Sequence, residues 1–84
     1  MSASAAKALN DLADQVRAAA DLDDAARRDV DFDIEVGDPD IAIYQALLAT
    51  RKPLPTELVS KIRAGIDSGW WTDAMRQRAL AVLP

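Results

Sequence analysis

Hydrophobic and acidic residues alternate strictly between positions 29 and 36. The apolar positions are Val30, Phe32, Ile34 and Val36, and the acidic positions between them are Asp29, Asp31, Asp33 and Glu35. A period of two residues is typical of an extended strand that has one buried face and one solvated face. The pattern therefore predicts a strand over this segment, with its carboxylates in a row along the solvated face.

Elsewhere the apolar residues recur at spacings of three and four, which is typical of amphipathic helices. The expected helix starts lie at residues that commonly cap or begin helices, namely Ser4, Asp21, Pro39, Thr56 and Thr72. Gly69 is expected to end the fourth helix in a left-handed conformation. The helix that begins at Pro39 is apolar on most sides, so we predict that it is the central helix.

These patterns predict a mainly α protein with a single domain over residues 1–84. Its architecture is expected to be a compact bundle of four or five short helices with one extended or β segment at about residues 29–36. The chain contains no second alternating run with which this segment could pair. Three outcomes stay open: pairing with its copy in a homodimer, addition to the sheet of another protein, or burial of Val30, Phe32 and Ile34 against the helices.

The residue types present argue against most catalytic chemistry. The chain has no cysteine and no histidine, so it lacks thiolate ligands and the commonest general base. We therefore predict that the protein is not an enzyme and uses no cofactor or metal. The spacing Asp29-x-Asp31-x-Asp33 resembles the opening of an EF-hand calcium loop, but Ile34 stands where that loop requires glycine.

The start of the chain carries no secretion signal, and no apolar run approaches the roughly 18 residues of a membrane span. We therefore expect a cytoplasmic protein that does not contact membranes. Its alanine-, aspartate- and arginine-rich composition is associated with bacterial and phage genomes, so the expected compartment is the cytoplasm of a bacterium or of a phage-infected host.

Charge is distributed unevenly along the chain. The formal net charge is −4, but residues 21–40 carry −7 whereas residues 41–84 carry +3. Such an acidic segment influences the choice of partner more than it influences the fold. A larger protein with a basic surface is therefore the expected partner.

The acidic segment has two readings. Its carboxylates can engage lysine and arginine side chains of a partner, imitating the phosphates of a nucleic acid. The predicted contact residues are Asp29, Asp31, Asp33, Glu35 and Asp38. Alternatively, the carboxylates are only a solvated face that keeps a strand edge from aggregating.

Trp70 and Trp71 are adjacent in a chain that has only four aromatic residues. Tryptophan is enriched among the residues that dominate binding energy, so either residue is a candidate apolar anchor for a partner. The alternative is that one indole fills the small core while the other lies flat across it.

The leading functional hypothesis is a small acidic protein-binding module that acts by stoichiometric contact, as an inhibitor, an immunity protein or a phage anti-defence protein does. One alternative is an assembly protein that self-associates through residues 29–36. A second is a helix-turn-helix regulator over residues 61–80, in which Arg76 and Arg78 contact DNA. The acidic net charge argues against nucleic-acid binding.

Overall fold

The computed structural model describes residues 3–84, and these residues form five α-helices and no strand. The helices are α1 (Ala3–Ala19), α2 (Asp24–Glu35), α3 (Pro39–Ala49), α4 (Thr56–Asp67) and α5 (Asp73–Val82). The prediction of a compact, mainly helical protein is confirmed.

The prediction of an extended segment at residues 29–36 is wrong, because residues 29–35 form the last two turns of α2 and Val36 is its C-cap. In an alternating run every second apolar residue is four residues from the next, and residues four apart lie about one helical turn apart on the same face of a helix. Val30 and Ile34 use this spacing to face the core, and Val30 is only 1% exposed. Phe32 and Val36 consequently point to solvent.

Local signals explain why α2 forms despite its strand-like pattern. Asp23 caps the helix, since its Oδ1 accepts a hydrogen bond of 2.8 Å from the backbone N–H of Ala26. Helix formers follow at Ala25, Ala26 and Arg27. A helix satisfies its backbone N–H and C=O groups internally, whereas a single strand without a neighbour leaves them unpaired.

A tight turn joins α2 to α3. Gly37 has a φ of +85°, a conformation that side chains disfavour. The backbone N–H of Asp38 donates to the carbonyl of Asp33 at a distance of 2.8 Å, which closes the turn. Pro39 then begins α3, as the sequence predicted. The short turn leaves α2 and α3 packed side by side.

Helix α3 is the central element of the bundle, as predicted, because it packs against α1, α2 and α5. Its residues Ala42, Ile43 and Ala46 are fully buried. The two alanines allow the neighbouring helices to approach closely, and Ile43 fills the space between them. Helix α2 therefore has a well-packed core beneath its solvent-facing side.

Asp40, in the first turn of α3, is a charged residue that is buried beside the core. Its Oδ2 accepts a hydrogen bond of 3.1 Å from the hydroxyl of Thr72, the residue that precedes α5. Its Oδ1 accepts from the backbone N–H of Ile41 at 2.9 Å. The carboxylate thus links the start of α3 to the start of α5. This role is structural, because the carboxylate is buried.

Candidate functional site

The solvent-facing side of the last two turns of α2 presents apolar side chains between two groups of carboxylates. Phe32 is 61% exposed, and Val36, one turn further on, is also exposed. At 100° per residue, Asp29 and Asp33 lie on one side of Phe32, whereas Asp31 and Glu35 lie on the other. We call this surface the α2 face and define it by Asp29, Asp31, Phe32, Asp33, Glu35 and Val36.

The five predicted acidic contact residues therefore do not form the single row expected of a strand. The helix separates them into two flanks, and Asp38 follows after the turn at Gly37. Asp29, Glu35 and Asp38 are exposed, and Asp33 is partly buried. Among residues 3–84 none of these four carboxylates forms an ion pair.

Asp31 differs from the other acidic residues because Arg17 of α1 binds it. Arg17 Nε lies 2.8 Å from Oδ1 of Asp31, and Arg17 Nη2 lies 3.2 Å from Oδ2. This bidentate hydrogen bonding lowers the pKa of Asp31 below its usual value of 3.8. The pair fastens α2 to α1 at the edge of the α2 face, so the charge of Asp31 is already partly matched within the protein.

Asp33 is in the opposite situation. Partial burial raises its pKa above the usual 3.8, and the nearby carboxylates of Asp38 and Asp29 raise it further. No cation faces this group within the described residues. Ionisation of Asp33 therefore destabilises the folded protein.

We predict that Asp33→Asn stabilises the protein at neutral pH by about 0.5 kcal/mol, the size of a repulsive pair of like charges one helical turn apart. A raised pKa means that folding is favoured when Asp33 is protonated and loses that contribution as the pH rises through the folded pKa. The advantage of the variant should consequently be present at pH 7 and absent at about pH 3, below the ordinary value for aspartate. Urea denaturation of both proteins at the two pH values measures it; an equal difference at both would contradict the prediction.

The position of the carboxylates along α2 is also unfavourable for the helix itself. Asp31, Asp33 and Glu35 lie near its C-terminus, and the last turn contains no basic residue. The helix dipole places partial negative charge at this end, where cations stabilise and anions destabilise the helix. Asp29 with Asp33, and Asp31 with Glu35, are in addition like charges one turn apart. Asp31 is offset by its contact with Arg17, but the stability of the helix does not explain why Asp29, Asp33 and Glu35 are acidic.

The two tryptophans occupy different environments. Trp71 is 5% exposed and belongs to the core, so its indole is not available to a partner in the folded protein. Trp70 is half-buried and packs over Gly65 of α4, where a Cβ atom would lie 2.9 Å from Cε3 of Trp70. This arrangement matches the interpretation in which one indole fills the core and the other lies across it.

Trp70 also lines an open groove of about 340 Å³ between α1 and α4. The groove is mainly apolar, with Leu12 and Ala64 among its lining residues, and Lys61 crosses it to donate a hydrogen bond of 3.2 Å to Gln15. The groove lies on different helices from the acidic residues. The structure therefore does not bring the predicted tryptophan anchor and the predicted carboxylates into one site.

Sequence reasoning missed the exposed apolar residues of the α2 face. A strand places Phe32 on the same face as Val30 and Ile34, and burial of that face against the helices was one of the three outcomes left open. A helical projection of residues 24–36 separates Phe32 from Val30 by 200° and brings Val30 within 40° of Ile34. That projection was the signal in the sequence that identifies Phe32 as the outward residue.

Other candidate chemistry has less support in the geometry. Within residues 3–84 no group of three or more acidic residues is placed to hold a metal ion. Helix α4 packs mainly on α1, and α5 packs mainly on α3. The two helices of the proposed helix-turn-helix therefore lack the close mutual packing on which that motif depends.

Across the described residues, every helix is too short or too polar to cross a lipid bilayer. Comparison of the chain with protein-family models, with curated proteins and with solved structures finds no match. The α2 face, with Phe32 exposed between two flanks of carboxylates, is therefore the candidate functional site on the evidence of its own geometry.

Proposed function

We propose that this protein is an acidic protein-binding module whose α2 face docks against a larger partner. The partner carries an apolar pocket for Phe32, and lysine and arginine side chains surround that pocket. The observation that carries the proposal is the exposure of Phe32 between four carboxylates, of which only Asp31 forms an ion pair among the described residues.

The apolar and acidic residues of the α2 face make different contributions to binding. Burial of an aromatic side chain contributes about 1.5–3 kcal/mol, so Phe32 supplies affinity. The carboxylates contribute less to affinity, because exposed ion pairs are worth about 0.2–1 kcal/mol each, but they steer the encounter and reject acidic partners. The association rate is therefore expected to fall as salt concentration rises.

The unfavourable local electrostatics of α2 support the same proposal. Carboxylates at the C-terminus of a helix and in repulsive pairs oppose folding. A basic partner reverses both effects, because each of its cations interacts favourably with the helix end and with the acidic side chains. Departures from local rules of this kind are typical of functional surfaces.

A stoichiometric inhibitor is the functional class that fits such a surface. A small protein that fills a basic, partly apolar groove on another protein prevents that groove from binding its own anionic ligand. Inhibitors, immunity proteins and phage anti-defence proteins act in this way, and our proposal places this chain among them. The alternative hypothesis of an assembly protein that pairs through a strand no longer applies, since residues 29–35 are helical.

Neutralising the unpaired carboxylates of the α2 face tests the proposal. We expect the triple variant Asp29→Asn, Asp33→Asn, Glu35→Gln to bind a basic probe about tenfold more weakly, since three exposed charge contacts of about 0.5 kcal/mol each amount to one decade. The probe is a synthetic amphipathic helical peptide with leucine along one face and arginine on both flanks. Titration monitored by nuclear magnetic resonance gives the affinity and maps the contact residues.

The matched control removes the same charges elsewhere. Asp14→Asn, Asp67→Asn, Glu57→Gln removes two aspartates and one glutamate from exposed positions on α1 and α4. It should keep the wild-type affinity for the probe within about twofold. The proposal is wrong if both triple variants weaken binding equally, or if the peptide perturbs the groove at Trp70 and leaves Phe32 and Val36 unchanged.

A further inference from the structure

A second exposed surface on this protein is complementary to the α2 face. On α5 the residues at the centre of the solvent side are small or neutral: Ala74, Gln77 and Ala81. Helical geometry places an arginine and an aliphatic residue one turn apart on each side of this centre. These pairs are Arg76 with Leu80 and Arg78 with Val82, and all four side chains are exposed. We call these seven residues the α5 face.

The two arginines of the α5 face have no acidic partner. Among the described residues neither Arg76 nor Arg78 forms an ion pair. Asp73 is the one acidic residue of α5, and it lies in the first turn of the helix. Asp73 is exposed and lies about one turn before Arg76 and Gln77, so a carboxylate adjoins the Arg76 flank, the Arg78 flank is cationic, and an aliphatic residue lies beside each cation.

The α2 and α5 faces have opposite arrangements of size and charge. The α2 face has a bulky centre, Phe32 and Val36, with carboxylates on both flanks. The α5 face has a shallow centre with Arg76 and Arg78 on its flanks. A helix whose large side chains project centrally packs well onto one whose central side chains are small.

We propose that the α2 face is also occupied by the α5 face of a second copy of this chain, in a head-to-tail contact. Phe32 and Val36 lie over Ala74 and Ala81 in this contact, and the flanking carboxylates meet Arg76 and Arg78. The inference rests on the proposed function, because it treats the α2 face as a docking surface. Self-association and partner binding then compete for the same residues, so the protein is regulated by its own concentration.

Charge argues for this pairing and against a symmetric contact between two α2 faces. An α2–α2 contact brings the carboxylates of both copies together, and like charges across an interface are strongly unfavourable. The head-to-tail contact instead joins residues 29–36, which carry −4, to residues 73–82, which carry +1. It is the pairing of these two faces that the charge distribution favours.

The expected association is weak and salt-dependent. Helix α5 has 10 residues and is about 15 Å long, so the interface is smaller than the roughly 1,200 Å² of stable complexes. Helices α2 and α5 each pack on α3 and do not pack closely on each other, so each copy can use both faces. A heterologous contact of this kind extends from copy to copy unless it closes into a ring.

Sedimentation velocity of the full 84-residue chain at low salt, at concentrations up to about 1 mM, tests the inference. The wild-type protein should show a mass that rises with concentration. Phe32→Asp, which disables the α2 face, and Arg76→Glu with Arg78→Glu, which disables the α5 face, should each remain monomeric. An equimolar mixture of the two variants should form a one-to-one complex, because each supplies the face that the other lacks.

A charge-matched control and the probe peptide separate the possible failures. Lys52→Glu with Lys61→Glu reverses two charges outside both faces and should associate as the wild-type protein does. A wild-type protein that stays monomeric, variants that associate normally, or a mixture that forms no complex would each overturn the inference. If the probe peptide still binds at Phe32 in those cases, the inference alone fails; if it does not, the proposed docking function fails as well.

Discussion

Ile43→Ala is expected to lower the free energy of unfolding by about 3–4 kcal/mol. Ile43 is 0% exposed and lies on α3, which packs against α1, α2 and α5. Shortening it removes apolar burial and leaves a cavity that three neighbouring helices cannot all collapse to fill. A domain of 84 residues has a total stability of roughly 4–13 kcal/mol, so this one change removes a large part of it.

Urea and thermal denaturation followed by circular dichroism measure this effect. The matched control is Leu48→Ala on the same helix, since Leu48 is 53% exposed and its truncation should cost less than about 1 kcal/mol. Comparable destabilisation by the two variants would contradict the central position of α3. A large loss with Ile43→Ala alone would agree with it.

Phe32→Ala is expected to weaken partner binding by about 10- to 100-fold and to leave stability almost unchanged. Truncation of a central aromatic contact typically costs about 2 kcal/mol or more in binding. The folded protein gains little from Phe32, which is 61% exposed, and alanine is the better helix former. The free energy of unfolding should therefore change by no more than about 0.5 kcal/mol.

The amphipathic basic peptide is the probe for this experiment, and calorimetry gives its affinity. Leu48→Ala again serves as the control, because Leu48 is a large exposed apolar residue outside the α2 face. Equal affinities for the wild-type protein and Phe32→Ala would show that Phe32 is not an anchor. A loss of affinity accompanied by a large loss of stability would mean that Phe32 acts through the fold.

Several elements of the fold were predictable because their signals are local. Pro39 starts α3 because its fixed backbone angle suits the first helical turn. Gly69 follows α4 with a φ of +76°, as a glycine after a helix end commonly does. The apolar character of α3 on most sides identified it as the central helix. Each of these inferences needs only a few neighbouring residues.

The candidate site was predicted in its charges but not in its geometry. The sequence located the acidic residues, among them Asp29, Asp33 and Glu35, and the structure leaves these exposed or partly exposed without ion pairs among the described residues. It did not locate the apolar centre of the face, since a strand places Phe32 on the same side as Val30 and Ile34, and burial of all three against the helices was one of the three open outcomes. It also offered no means of knowing that Arg17 binds Asp31, because that contact joins residues 14 positions apart.

By itself the sequence determined where α3, α4 and α5 begin, which residue types are present, and that negative charge is concentrated in residues 21–40. It misplaced α2, which was expected to start at Asp21 and to end before residue 29 but is capped by Asp23 and continues to Glu35. Tertiary structure alone decided which side chains of residues 29–36 face solvent, and it selected the helix together with the local signals of residues 23–27. The alternating pattern is compatible with both a strand and a helix, because residues four apart share a face in either one. In the helix, Val30 and Ile34 are buried against the core, and no second strand is needed to pair the backbone. The same packing places Phe32 on the solvent side, among the carboxylates.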